Sequence, residues 1–192
     1  EFDIRLHNDE LWVIHDHYLD RLTHQSGDFG DLENPAIIKL KNGSKIPRLT
    51  EVLDLLWGKI PVNIEIKTHN TVPKLLEILS RYATLPKSND LPWLLVSSFD
   101  HQQLKSLRAE RSDIQIAPIT LGLPLHIDLI IDDIKPYSWH MDDEYLHQPT
   151  IEKIGKHNVL VFVYTVNNPD HLSKLNAFGV SGIFTDHPST FL

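Results

Sequence analysis

Hydrophobic positions along the chain follow two alternating periods. Short apolar or β-branched runs predict strands at Phe2 to Leu6, Trp12 to Ile14, Ile60 to Ile66, Leu94 to Ser97, Gln115 to Ile119, Val159 to Thr165 and Gly182 to Thr185. A weaker segment near Leu129 to Ile131 is read as a further strand. Between these runs the spacing turns helical, at Leu49 to Trp57, Val72 to Tyr82, His101 to Arg111, Thr150 to His157 and Pro169 to Phe178. Val72, Leu75, Leu76 and Leu79 share one helix face; Asp100 is placed as an N-cap, and Gly179 as a C-terminal stop.

Strand–helix–strand alternation means parallel strands joined by helical crossovers. An open doubly wound sheet and a closed (β/α)8 barrel compete. No G-x-G-x-x-G follows any strand, which lowers the dinucleotide-binding form of the open sheet. Polar residues instead end strand after strand: Glu65 and Lys67, Ser97 and Ser98, Thr165 and Asn167, Thr185 and Asp186. Function on the C-terminal rim of many strands is the habit of the barrel. About seven barrel-type strands are expected, one short of the eight that close a barrel. Residues 1–192 read as one domain, and Asp20 to Pro47, aperiodic and rich in Gly, Asp and Asn, reads as a long functional or mobile loop.

Composition narrows the function classes. At 192 residues the chain has the length of one domain, with ample material for a core. A formal net charge of −8 argues against a nucleic-acid partner, because phosphate backbones recruit Lys and Arg. The longest apolar run, Val159 to Val163, is far short of the roughly 18 residues of a membrane span. With zero Cys there is no disulfide, thiolate nucleophile or Cys-based zinc site, and the compartment stays open between cytoplasm and periplasm. The cytoplasm is the working expectation.

Three groups of residues carry candidate chemistry. Glu1 and Asp3 sit at i and i+2 of a strand, so both carboxylates share a face. Like charges side by side are costly unless a cation or proton joins them, although a solvated strand end fits the same spacing. Asn63, Glu65 and Lys67 alternate with Ile64 and Ile66 in a strand of the kind usually apolar on both faces. Those polar side chains need partners or a site; a structural Glu65–Lys67 contact is the plainer alternative. A third carboxylate joining the first two would form a hard oxygen cage suited to Mg²⁺ or Ca²⁺. His15, followed by Asp16, lies just past the second strand. It is a candidate proton carrier, though one His among 12 is a weak signal.

Taken in order, these residues resemble the glycerophosphodiester phosphodiesterases. Glu1-Phe2-Asp3 resembles the family's E-x-D pair, and Val13-Ile14-His15-Asp16 with Leu19 and Arg21 its H-D-x-x-L-x-R motif. Ile46-Pro47-Arg48-Leu49-Thr50-Glu51-Val52-Leu53 is similar to its I-P-x-L-x-E-V-L stretch, and Asn63-Ile64-Glu65-Ile66-Lys67 to its N-I-E-I-K strand. Val96-Ser97-Ser98-Phe99, Tyr164-Thr165-Val166-Asn167 and Gly182-Ile183-Phe184-Thr185-Asp186-His187-Pro188 resemble V-x-S-F, W-T-V-N and G-I-x-T-D-x-P.

The resemblance implies a (β/α)8 barrel with a segment inserted after the second strand, where Asp20 to Pro47 lies. It implies metal-dependent hydrolysis of a small-molecule glycerophosphodiester to sn-glycerol 3-phosphate and an alcohol. The divalent cation, Mg²⁺ or Ca²⁺, maps to Glu1, Asp3 and Glu65; a phosphate-holding lysine maps to Lys67, and the second catalytic histidine to His15. Water and the glycerol's own 2-hydroxyl both stay open as first nucleophile. The family's H-R-G strand and following helix have no counterpart here, so the chain is expected to enter at the second strand, one βα unit short, and to be inactive by itself. Tyr164 stands where the family has Trp, and the turn at Asn8-Asp9-Glu10 lacks the usual Gly. Two competing readings are a barrel that binds a glycerophosphodiester or protein partner without turnover, and a phospholipase D of the spider-toxin type. The zero Cys count weighs against the second, whose members use disulfides.

Overall fold

A computed structural model of the chain describes residues 1–82 and 92–191. They form two compact units, Glu1–Val96 and Ser97–Leu192.

The first unit is organised by a hairpin and a crossover. Strand β1 (Phe2–His7) pairs antiparallel with β2 (Glu10–Val13), Ile4 opposite Val13 and His7 opposite Glu10. The two-residue turn between them places Asn8 and Asp9 at φ 48° and 58°. Asn and Asp tolerate this left-handed region better than other side chains, so the turn closes without the Gly expected there. β1 also pairs in parallel with β3 (Val62–Ile66), with Phe2, Asp3 and Ile4 beside Ile64, Glu65 and Ile66. Alternation then sorts the side chains. Ile4, Val62, Ile64 and Ile66 are buried on one face, while Asp3, Arg5, Asn63 and Glu65 take the other.

Helix α1 (Leu49–Leu56) is started by Glu51, whose Oε2 accepts from the Arg48 backbone N–H at 2.7 Å, and it buries Leu49 and Leu53. Helix α2 (Val72–Leu79) carries Pro73 in its first turn, where a missing N–H costs nothing. It buries Val72, Leu75, Ile78 and Leu79, and a turn to Tyr82 follows. The segment from Asp20 to Pro47 is no bare loop. Two 3-10 turns, Phe29–Asp31 and Pro35–Ile37, are capped by the side chains of Asp28 and Asn34. Leu19, Phe29, Ile38 and Ile46 pack with Trp12 and Ile14 into a small core of their own.

Strand β4 (Leu94–Ser98) runs through the boundary of the two units. In the second unit, β5 (Gln115–Thr120), β6 (Ser138–Asp142), β7 (Leu160–Tyr164) and β8 (Gly182–Ile183) are consecutive parallel neighbours. Helices α3 (His101–Glu110), α4 (Ile127–Ile134), α5 (Gln148–Gly155) and α6 (Leu172–Ala177) alternate with the strands. Asp100 caps α3 through its carboxylate, which accepts from the Gln102 N–H at 3.1 Å, and Gly179 follows α6 at φ 82°. Trp139, Met141, Val161 and Val163 face the helices and pack with Ile127, Ile131, Ile151, Ile154 and Leu175.

One strand expectation is overturned, and helix α4 and strand β6 take its place. Leu129 to Ile131 belongs to helix α4, not to a strand. The apolar run Ile127, Ile130, Ile131, Ile134 has helical spacing; the short window around Leu129 hid that period. The strand of this region is β6, whose sequence Ser-Trp-His-Met-Asp looks too polar to be buried. Its polar face is satisfied locally: Ser138 Oγ and His140 Nε2 lie 3.1 Å apart.

Candidate active site

The parallel register of β1 and β3 puts Asp3 directly beside Glu65 on the polar face. Glu1 and Lys67 extend that face by two residues on either strand. Carboxylate oxygens of Glu1, Asp3 and Glu65 lie within 4.8 Å of one another. Lys67 Nζ lies 3.1 Å from Asp3 Oδ1 and is also ion-paired with Glu65 Oε1. The contact that the plainer sequence reading proposed therefore exists, within a cluster of three carboxylates.

The electrostatics of this cluster are strained. Glu1 is exposed as a residue, but its carboxyl end is packed among the others, and loss of water there raises its pKa to about 7, with repulsion from Asp3 adding. Burial also raises Glu65, against the opposing pull of Lys67. Burial alone would lower Lys67, but Glu65 and Asp3 outweigh it and the ammonium is held charged. Asp3 Oδ1 and Glu65 Oε1 are buried, and neither accepts a well-aligned hydrogen bond. Crowded hard oxygens with unsatisfied lone pairs fit a divalent cation of the Mg²⁺ or Ca²⁺ type.

His15 is brought to this cluster by the hairpin. The Ile14 N–H donates to the Asp3 carbonyl at 3.1 Å, which ties the end of β2 to the carboxylate strand. The Arg5 guanidinium donates to the His15 carbonyl through Nε and an NH2 group, at 3.2 and 2.9 Å. His15 Nδ1 lies 2.7 Å from Asp16 Oδ1, and Arg21 donates to both oxygens of Asp16 at 2.7 Å. Those Arg21 bonds, with a smaller share from His15, hold the Asp16 carboxyl down at about 2. A cavity of about 390 Å³ is lined by Arg5, His15, Asp16, His17, Tyr18, Asp20, Arg21 and Lys67. Lys67 and His15, proposed from sequence on separate grounds, thus open onto one space.

Sequence reasoning passed over Arg5 as a site residue. The signal was present: Arg5 continues the i, i+2 alternation of Glu1 and Asp3, and a cation on a carboxylate-bearing face of a buried strand calls for a role. Burial lowers the pKa of its guanidinium while Asp3 and other nearby carboxylates pull the other way, and 9% exposure leaves it on the cavity wall. Asp16 and Arg21 were read only as motif letters; their pairing needs the turn that follows β2.

Known proteins resemble this chain in sequence and in structure. The glycerophosphoryl diester phosphodiesterase family matches residues 1–190. A curated glycerophosphodiester phosphodiesterase of Bacillus subtilis is 28% identical, covering 100% of this chain and 74% of its own length. Another, from Caldanaerobacter subterraneus subsp. tengcongensis, is 30% identical, covering 100% and 83%. Among solved structures, an Oleispira antarctica phosphodiesterase in complex with the product sn-glycerol 3-phosphate superposes with a TM-score of 0.85 at 21% identity, covering 98% of this chain and 81% of that one. A glycerophosphodiester phosphodiesterase of Thermotoga maritima gives 0.71 at 23% identity, covering 99% and 82%. At these identities the solved structures speak for the fold, which is that of the TIM-type (β/α)8 barrels.

Proposed function

Because the chain belongs to the glycerophosphoryl diester phosphodiesterase family, and so to the phosphoric diester hydrolases, we propose that its substrate is bound in the cavity between Lys67 and His15 and cleaved to sn-glycerol 3-phosphate and an alcohol. The observation that carries this reading is the meeting of three carboxylates, one lysine and one histidine around a single open space. Membership also brings a general dependence on a divalent metal. We assign that metal to Glu1, Asp3 and Glu65, as Mg²⁺ or Ca²⁺. When bound, a hard divalent cation neutralises charge on the phosphoryl oxygens and makes phosphorus open to attack.

The chain's own residues do the rest. The Lys67 ammonium is a fixed positive charge beside the carboxylates and attracts a non-bridging phosphate oxygen. Arg5 and Arg21 add positive potential along the same wall and draw an anionic substrate in. His15 moves a proton at its ring, taking one from the attacking hydroxyl or giving one to the alkoxide that leaves. A new P–O bond forms as the P–O bond to the alcohol breaks, and the leaving oxygen ends protonated.

The test is hydrolysis of glycerophosphocholine by the purified chain, prepared both as residues 1–192 and with whatever residues its gene encodes before Glu1. Release of sn-glycerol 3-phosphate is followed with and without Mg²⁺, Ca²⁺ and a chelator. Metal-dependent release by the longer form supports the reading. Tight binding of the diester with no turnover in either form replaces it with a binding protein.

A further inference from the structure

The pairing of His15, Asp16 and Arg21 carries more than a proton-transfer label for one histidine. An ionised carboxylate has no proton to give and can only accept. Arg21 bonds both oxygens of Asp16 and keeps it ionised. The 2.7 Å contact between Asp16 Oδ1 and His15 Nδ1 is therefore a hydrogen bond only if Nδ1 carries the hydrogen. Neutral imidazole in water prefers the opposite tautomer, with the hydrogen on Nε2. The backbone side of the same residue is fixed separately, by the two Arg5 bonds to the His15 carbonyl. His15 is still 60% exposed in its side chain, so this hold does not come from packing.

Building on the reading of His15 above, we propose that Asp16, clamped by Arg21, is a positioning residue that holds neutral His15 as the Nδ1–H tautomer and thereby makes Nε2 the atom that accepts and returns the proton. Asp16 touches no reacting atom in this scheme. It acts through the imidazole, by choosing the tautomer that leaves the free lone pair on Nε2. Arg21 acts one step further back. Its two bonds stop the carboxylate from rotating. The alternative is that Asp16 and Arg21 merely staple the turn after β2, which would leave the tautomer of His15 to solvent.

Long-range ¹H–¹⁵N correlation spectra separate these, because they report which ring nitrogen is protonated without any turnover. His15→Gln identifies the His15 signals. At pH 8.5 the unmodified chain is expected to show Nδ1–H at His15. Asp16→Asn keeps one acceptor oxygen, which the Arg21 donors hold, and so turns its amide N–H to the ring; it is expected to invert the tautomer to Nε2–H. In the glycerophosphocholine assay, Asp16→Asn should lower kcat about 10²–10⁴-fold, the usual worth of a general base, with KM within about threefold. Asp16→Glu, which keeps an ionised acceptor, should recover Nδ1–H and part of kcat. Nε2–H in the unmodified chain overturns the proposal with no variant needed, as does an unchanged tautomer in Asp16→Asn. An inverted tautomer with wild-type kcat instead removes His15 as the proton carrier and leaves Asp16 as its orienter.

Discussion

His140 makes the second unit sensitive to acid, and the size of the effect can be worked out. Its side chain is 1% exposed, 3.1 Å from Ser138 Oγ, stacked on Phe162 at 5.4 Å between ring centroids and edge-on to Phe184 at 4.8 Å. No carboxylate is among these neighbours. Burial without a counter-charge lowers its pKa from 6.5 to about 3. Above pH 6.5 the ring is neutral folded and unfolded, and no penalty applies. Below it the unfolded chain takes up a proton that the folded chain refuses, so stability falls as pH drops from 6.5 toward 3. At 1.36 kcal/mol per unit, the loss at pH 5 relative to pH 8 is about 2 kcal/mol, or roughly 4–8 °C in Tm for a chain of this size. His140→Asn keeps a polar partner for Ser138 but cannot titrate. Urea unfolding of both proteins at pH 8, 6, 5 and 4 is the assay. The wild type should lose about 2 kcal/mol more than the variant between pH 8 and 5. Parallel pH profiles would refute the reasoning and show that protonated His140 finds water or a charge inside the fold.

Glu65→Gln should weaken Mg²⁺ and Ca²⁺ binding in calorimetric titration, since one of three charged oxygen donors is lost; unchanged affinity removes Glu65 from the cage. His15→Ala should cost about 10²–10⁴-fold in kcat with Tm unmoved, and a variant that instead unfolds assigns His15 to the fold. Gly182→Ala should destabilise by about 1–3 kcal/mol, because its new Cβ would stand 3.0 and 3.1 Å from two Phe162 ring carbons; a neutral change in urea unfolding would show that the Phe162 ring gives way freely.

How much of this was readable beforehand varies with the physics involved. Asp3 and Glu65 could be placed on polar strand faces from alternation alone, because period-two burial is local. That they stand side by side follows from the parallel register, which no single strand states. His140 went unseen because its burial is set by Phe162 and Phe184, which follow it by 22 and 44 residues. Helix α4 was mistaken for a strand where isoleucines satisfy both patterns at short range. The Asp20 to Pro47 segment gave no periodic signal since its order comes from capped turns and scattered apolar anchors, not from a repeating face. Arg21 on Asp16 is a five-residue contact across a turn, legible as a motif but not as a clamp.

The carboxylate cluster is a poor device for stability, and that is an argument about its purpose. Removing Asp3 and Glu65 from water is costly, and one ammonium shared between them does not offset both. Two buried oxygens remain without an aligned hydrogen bond, while nearby Ile4, Ile64 and Ile66 show that the same strands pack well when apolar. A chain under selection for folding alone would place apolar residues there too. What the strands gain instead is a rigid spacing. β1 and β3 are hydrogen-bonded neighbours, so the distance between their carboxylates is set by sheet geometry and not by side-chain choice. The hairpin carries the same rigidity to His15, through the Ile14 bond to the Asp3 carbonyl and the Arg5 bonds to His15 itself. Carboxylates held on strands and an imidazole held at a hairpin end are thus fixed to one frame.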